Sequence, residues 1–327
     1  MRQSSEALRY PPCKPNFYAV IDNRAGEISS QVAVSLTGQQ LNNSDVGKVL
    51  VGTALGLTVA NLINQSKGLL FGHSLNVNGT ALNNAGGTLA SRQDLSLNLA
   101  GDLDNRAGLL SSEGALTVKA ASLNNAAGSL SSAGALSVSN TGAVNNQGGS
   151  ISTDAGLTLG SASLDNRHKG VLSGQGATRI NTGVFDNSHA GRLTSGATLD
   201  LNATQVTNQD AGRIASAKAL TANVNHLGQI AGKRDVTAHI GRLQQQGGQL
   251  FAQGHLSLTG DALDNRQNGL VGAVNGLDIQ VANVDNRGGE LSSQGDLTLL
   301  GQQLDNSDSG QISSPPTKVC KTVPQRR

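Results

Sequence analysis

The stretch Leu103-Asp-Asn-Arg-Ala-Gly-Leu-Leu-Ser-Ser-Glu-Gly-Ala-Leu-Thr-Val118 constrains the fold most, because it recurs. The next copy reads Leu123-Asn-Asn-Ala-Ala-Gly-Ser-Leu-Ser-Ser-Ala-Gly-Ala-Leu-Ser-Val138. With the second residue of each Asn-Asn or Asp-Asn pair as anchor, the column reads Asn23, Asn43, Asn64, Asn84, Asn105, Asn125, Asn146, Asn166, Asn187, Asn208, His226, Gln245, Asn265, Asn286 and Asn306. Residues 23 to 306 span 283 positions in fourteen steps, a mean near 20.2. A fixed period in this range is the signature of a solenoid, whose units cannot bury a hydrophobic face alone.

Two apolar columns accompany the anchors. Two residues before them stand Ile21, Leu41, Leu62, Leu82, Leu103, Leu123, Val144, Leu164, Phe185, Val206, Val224, Leu243, Leu263, Val284 and Leu304. Two residues beyond the following glycine stand Ile28, Val49, Leu70, Leu89, Leu110, Leu130, Ile151, Leu172, Leu193, Ile214, Ile230, Leu250, Val271, Leu291 and Ile312. Neither column contains a polar residue. Between them run short alternations such as Leu116-Thr-Val118, Leu136-Ser-Val138 and Leu256-Ser-Leu258, in which one face turns inward and the other to water. Gly and Ser separate the runs, and no window has helical spacing. The pattern predicts an all-β, parallel β-helix of about fifteen coils of about twenty residues. At roughly 4.8 Å per coil this makes a rod of about 70 Å.

A column of identical amides can hydrogen-bond up and down a stack, since each Asn carries both a carbonyl and an NH2. The thirteen anchor asparagines are therefore the predicted buried amide ladder. The preceding position holds Asp22, Asp104, Asp165, Asp186, Asp264, Asp285 and Asp305, and like charges cannot stack when buried, so this position is predicted to face solvent. Glycine follows the anchor by three residues (Gly26, Gly108, Gly128, Gly289) or four (Gly47, Gly170, Gly191, Gly269), which places the length variation in one surface loop. Leucine-rich repeats share the period and an Asn column, but their L-x-x-L-x-L spacing and helical return segment do not occur here.

Composition agrees. Tyr10, Phe17, Tyr18, Phe71, Phe185 and Phe251 are the only aromatics, as suits a narrow core of Leu, Val and Ile. All six prolines lie outside the repeats, and proline cannot donate to a sheet ladder. Residues 1–16 read as a non-repeat, disordered leader, 17–314 as the shaft, and 315–327 as a Pro-rich basic tail that stops the pattern. The two ends carry seven Lys/Arg and one Glu, or +6, so the net +2 of the whole leaves −4 for the repeats. That charge excludes a basic nucleic-acid face. Cys13 and Cys320 lie at opposite ends, too far apart for a bridge along a rod. There is no apolar run of about twenty residues to span a membrane, and no secretory signal is legible.

The unit resembles the repeat of filamentous haemagglutinin and related exoproteins exported by two-partner secretion. The matching residues are Leu103-Asp104-Asn105-Arg106-Ala107-Gly108, Leu110-Ser111-Ser112 and Gly114-Ala115-Leu116-Thr117-Val118, repeated at Leu263-Asp264-Asn265-Arg266 and Val284-Asp285-Asn286-Arg287-Gly288-Gly289. The resemblance implies a right-handed parallel β-helix used in adhesion, or as the stalk of a contact-dependent growth-inhibition toxin. It implies as partners an outer-membrane two-partner secretion transporter and a host or neighbouring-cell surface. With no export signal or toxin domain visible, the chain is expected to be a fragment of a longer exoprotein.

No catalytic, cofactor or metal site is predicted. The Asp-Asn-Arg triplets at Asp22, Asp104, Asp165, Asp264 and Asp285 read as solubilising turns. His73, His168, His189, His226, His239 and His255 are scattered; His168 and His189 share a place in successive coils but have no third ligand. Phe71 and Phe251 are predicted outward and nine coils apart, and Phe185 in the core. No Walker loop, G-x-S-x-G, H-E-x-x-H or Arg-Gly-Asp occurs, and spacing is irregular only over 208–245, read as a local kink. The residues thus predict a non-catalytic shaft, with a polysaccharide-degrading β-helix enzyme the weaker alternative for want of clustered carboxylates and aromatics.

Overall fold

An alternating strand in a unit of twenty residues buries nothing until another strand lies on it, so the elements form only as a stack. The computed structural model describes residues 20–208, 212–224, 230–244, 248–315 and 319–322. Every regular element among them is a strand, and the strands pair in parallel into a right-handed solenoid. The leader, His226 and Gln245 lie outside the described residues.

Each coil has three faces. In the coil opening at Leu109 they are Leu109–Ser112, Leu116–Ala120 and Leu123–Asn124. Inward positions alternate: Leu110 and Ser112 on the first face, Leu116, Val118 and Ala120 on the second, Leu123 on the third. Where the bend between the second and third faces is smooth, they fuse into one nine-residue strand, as in Leu157–Asp165 and Thr178–Asp186.

Register keeps like over like. Leu110 pairs with Leu89 below and Leu130 above, Leu116 with Leu95 and Leu136, and Leu123 with Leu103 and Val144. Because side-chain direction alternates with period two, a slip of one residue would turn every inward leucine to water. Fifteen first-face strands, from Glu27–Ser30 to Gln311–Ser313, succeed one another in this way. Among the residues whose burial is described, both apolar columns are buried along the rod, Val49, Leu70, Leu110 and Leu172 completely. Among those residues only the outermost members, Ile21, Ile28, Leu304 and Ile312, are partly covered, since each lacks a neighbour on one side.

Two details depart from the sequence pattern. Val224 does not join the third-face column, because its register partners are Ala203 and Ile240, which places it on the second face. Leu220–Val224 thus runs along the second face, so His226 does not stand two residues past a third-face position, and 225–229 lie outside the described residues. The second face also runs one rung past the repeats: Val319–Thr322 pairs with Asp296–Leu300, matching Leu297 to Val319 and Leu299 to Lys321, with Pro315 before it outside any strand.

The alternation has a direct test. Leu130→Ala empties a fully buried position and lowers unfolding free energy by about 2–5 kcal/mol in urea titration, whereas the outward Ser131→Ala changes it by less than about 0.5 kcal/mol. Comparable losses from both would contradict the inward assignment.

Candidate functional site

The chemistry-bearing groups of this chain lie along one corner, where the third face turns into the next coil. At the corner the chain must reverse within three or four residues, which requires left-handed backbone. Short corners use one such residue, Ala107 (φ 50°) or Ala127 (φ 53°), and long ones two, such as Asp45 (φ 55°) with Val46 (φ 62°). A β-branched residue there is strained, and Val46 is also more than half exposed.

The anchor asparagine fills the inside of this corner. Its Nδ2 donates to the Oδ1 of the asparagine in the next coil: Asn23 to Asn43 at 2.6 Å, Asn43 to Asn64 at 2.7 Å, Asn64 to Asn84 at 2.8 Å. The line continues through Asn84, Asn105, Asn125, Asn146, Asn166 and Asn187 to Asn208, each link 2.7 Å. Further along, Asn265 donates to Asn286 at 2.7 Å and Asn286 to Asn306 at 2.6 Å. The second hydrogen of the same Nδ2 is shared between two carbonyls. For Asn166 these are Gly170 in its own corner at 3.0 Å and Arg192 in the next coil at 3.2 Å. From Asn43 to Asn187 each anchor is fully buried with its donors and acceptor engaged, so the amides bind one another rather than a ligand. The corner glycine makes room: a Cβ on Gly289 would stand 2.8 Å from Asn286 Oδ1.

The residue before the anchor has a role the sequence reading missed. Its side-chain oxygen accepts the backbone N–H two residues on, as Asp104 does from Arg106 at 3.1 Å, Asn145 from Gln147 at 3.1 Å and Asp186 from Ser188 at 3.0 Å. These are Asx turns, and the Asp/Asn restriction at this position was the available signal. The prediction that its aspartates face solvent holds for Asp22, half exposed, and fails at Asp264, whose side chain is 8% exposed. Asp264 tolerates burial because Arg266 covers both oxygens, at 2.7 Å each, so no bare charge is desolvated.

The arginines of the triplets also reach between coils. Arg266 Nε stands 3.6 Å from Asp285, and Arg287 Nε 3.5 Å from Asp305, which links Asp264, Asp285 and Asp305 through two guanidinium groups. A second missed feature is the inward hydroxyl that closes the first face. Ser112, Ser132, Thr153 and Ser195 are buried, and Ser195 Oγ donates to the carbonyls of Thr198 at 2.8 Å and Gly176 at 3.0 Å. Its signal was the period itself, since a residue two after an inward leucine must also point inward.

Of the scattered candidates, the structure brings two together. His168 and His189 stack with ring centroids 5.2 Å apart, both exposed on left-handed corner positions. Among the described residues, no group of three or more His, Cys, Asp or Glu is placed to hold a metal. Phe71 lies half-buried on the outside under the Arg92 guanidinium at 5.7 Å, Phe251 is likewise half-buried, and Phe185 is sealed in the core.

Fold and corner together define a structural repeat protein, a β-solenoid whose polar groups are spent on joining coil to coil. The haemagglutinin repeat family model matches residues 18–65, 53–107, 104–148, 136–203, 170–227, 203–267 and 251–314, so the chain belongs to the haemagglutinin repeat family and is a filamentous haemagglutinin-like shaft. That family is typical of secreted, cell-surface exoproteins. No curated protein sequence and no solved structure matches the chain.

Two outcomes follow from the corner. Asn125→Ala removes the bonds to Asn105 and Asn146 and strands their buried partners, which costs about 3 kcal/mol in chemical denaturation; a loss below about 0.5 kcal/mol would show that the ladder bears no load. Acid has a defined direction. Hydrogen bonds from the Arg24 side chain and backbone hold the Asp22 carboxyl at about 2, below its ordinary 3.8. The Arg287 guanidinium lowers Asp285, and the Ser307 hydroxyl and N–H lower Asp305. A carboxylate more acidic in the folded chain contributes stability above its unfolded pKa and loses it as that carboxylate is protonated. The urea midpoint is therefore insensitive to these groups well above pH 3.8 and falls as pH drops towards about 2; a midpoint that rises over that window would contradict the assignment.

Proposed function

We propose that the chain serves as the shaft of a secreted, surface-attached bacterial adhesin and catalyses nothing. The observation that carries this reading is the corner itself: among the described residues eleven amide links bind coil to coil, and their donors are consumed inside the rod. Such a molecule supplies length and rigidity. Each coil contacts only its neighbours, so it can be added as the chain emerges from a pore. This suits delivery through an outer-membrane two-partner secretion transporter, and presentation to a host or neighbouring cell. The same shaft would serve a growth-inhibition toxin as its stalk, the difference lying in what it carries.

Beads coated with the purified chain are to be washed over host-cell and bacterial-cell layers, and the same preparation incubated with acidic and neutral polysaccharides. The proposal expects bead retention several-fold above albumin-coated controls and no new reducing ends. Released reducing ends would overturn the non-catalytic reading, and retention equal to albumin would overturn the adhesive one.

A further inference from the structure

Each of the fifteen first-face strands turns two residues outward, which draws two outward columns along the rod. In the first column Lys48 on the second strand is followed by Leu69 on the third, and Leu270 on the thirteenth by Glu290 on the fourteenth. In the second column Phe71 on the third strand is followed by Ala90 on the fourth, and Phe251 on the twelfth by Gly272 on the thirteenth. Leu69, Phe71, Phe251 and Leu270 are half-buried, and Lys48 and Glu290 are exposed. Gly272 leaves a notch, since a Cβ there would stand 3.2 Å from both Phe251 Cδ2 and Ser292 Oγ. Midway between the two apolar groups the second column is flat, with Ser131, Ser152 and Ser173 in successive strands.

The two groups are related by a reversal. Strands two and fourteen, three and thirteen, and four and twelve share one midpoint, the eighth strand, Val171–Gly174. A second copy laid face to face, with its rod antiparallel and a two-fold axis along that strand, sets each outward column against its own counterpart. Lys48 then stands opposite the partner's Glu290, Leu69 opposite the partner's Leu270, and Phe71 opposite the notch at the partner's Gly272. The partner's Phe251 is one strand away, at about 4.8 Å, which puts two phenyl rings side by side within aromatic range. The axis repeats every contact. Arg192 and Arg213 fall opposite the partner's Ser150 and the partner's Ser129, so among the described residues of the first column no like charges meet. Other placements lose this match. A shift of one strand drives Lys48 against the partner's Leu270 and Phe71 head-on into the partner's Phe251. Parallel rods set Lys48 against the partner's Leu50. The exposed Arg92 guanidinium, 5.7 Å over the Phe71 ring, stands on the bend beside the face and turns to the rim as the rings meet.

We propose that the first face is a self-association surface, on which a second copy of this chain docks antiparallel to form a two-fold symmetric dimer. Its area is sufficient. Fifteen strands at about 4.8 Å by four residues at about 3.3 Å give about 950 Å² on each copy. The total of about 1,900 Å² lies within the range of stable protein interfaces. Antiparallel pairing joins rods that project from facing cells; that use rests on the shaft reading, and the pairing itself does not.

Sedimentation equilibrium on the full chain tests this. It is expected to reach twice the 33.3 kDa chain mass at or below about 100 μM, since interfaces of this area bind in the micromolar range or tighter. Phe71→Ser is expected to weaken the dimer at least about ten-fold while leaving the urea midpoint in place. Lys48→Glu is expected to weaken it several-fold, and Lys48→Glu combined with Glu290→Lys to restore it, which a loss of folding would not do. The sense of pairing is read by mild oxidation in a Cys13→Ser, Cys320→Ser background. Val171→Cys, on the axis, is expected to crosslink to its own copy, whereas Leu69→Cys, about 48 Å from its own copy, is not. A monomer throughout that concentration range overturns the proposal, whatever else the face binds. A dimer indifferent to Phe71→Ser and Lys48→Glu overturns the surface, and a crosslink at Leu69→Cys without one at Val171→Cys overturns the antiparallel sense. Bead retention bears on none of these results, so failure of the shaft reading remains distinguishable.

Discussion

A carboxamide has two N–H hydrogens and an acceptor, so it can donate to a copy of itself above and accept from a copy below with a hydrogen left over for a backbone carbonyl, which a hydroxyl lacks. Placed at the inside of a tight corner every twenty residues, it turns a problem into a bond. The corner must expose backbone carbonyls to the interior, and burying them unpaired is costly. The anchor amide satisfies them with one hydrogen and uses the other to fix the height of the next coil, as Asn166 does with Gly170, Arg192 and Asn187. Aspartate at the same site would repel its copies, and leucine would leave the carbonyls bare. Glycine after the anchor, left-handed residues such as Ala127, and the inward direction of Leu123 all follow from seating that amide.

Around the corner the rest is repetition. One coil has too little apolar surface to offset the entropy of ordering it, so the stack gains stability only through its interfaces. The buried leucines supply the nonspecific part of each interface, and the amides, inward hydroxyls and Asx turns supply register. Arg266 and Arg287 add a surface line that ties Asp264, Asp285 and Asp305 together, a modest contribution since all but Asp264 are open to solvent. No part of this scheme needs a ligand.

Much of the architecture was legible because columns leave marks at fixed spacing. The columns of Leu110 and Leu123 recur as apolar residues and that of Leu116 is interrupted by Thr178, and their alternation carried strand, face and register together. The Asn column was readable for the same reason. What escaped was local and polar. The Asx turns at Asp104 and Asn145 hid behind a charge argument that considered only exposure, and that argument also failed at Asp264, where Arg266 makes burial tolerable. The buried hydroxyls of Ser112 and Ser195 were masked by a preference for reading serine as turn residue. Counting back from His226 puts Val224 on the third face, and only pairing with Ala203 and Ile240 shows that it lies on the second.

The most direct measurement of the central claim is proton exchange at the asparagine side-chain amides, followed by NMR on a chain labelled with nitrogen-15 at asparagine. The account predicts slow exchange at the eleven ladder donors among the described residues, at rates set by opening of whole coils, beside fast exchange at outward amides such as Asn98. If the anchor amides exchanged as fast as Asn98, the coils would not be held by an internal amide ladder and the account would be wrong.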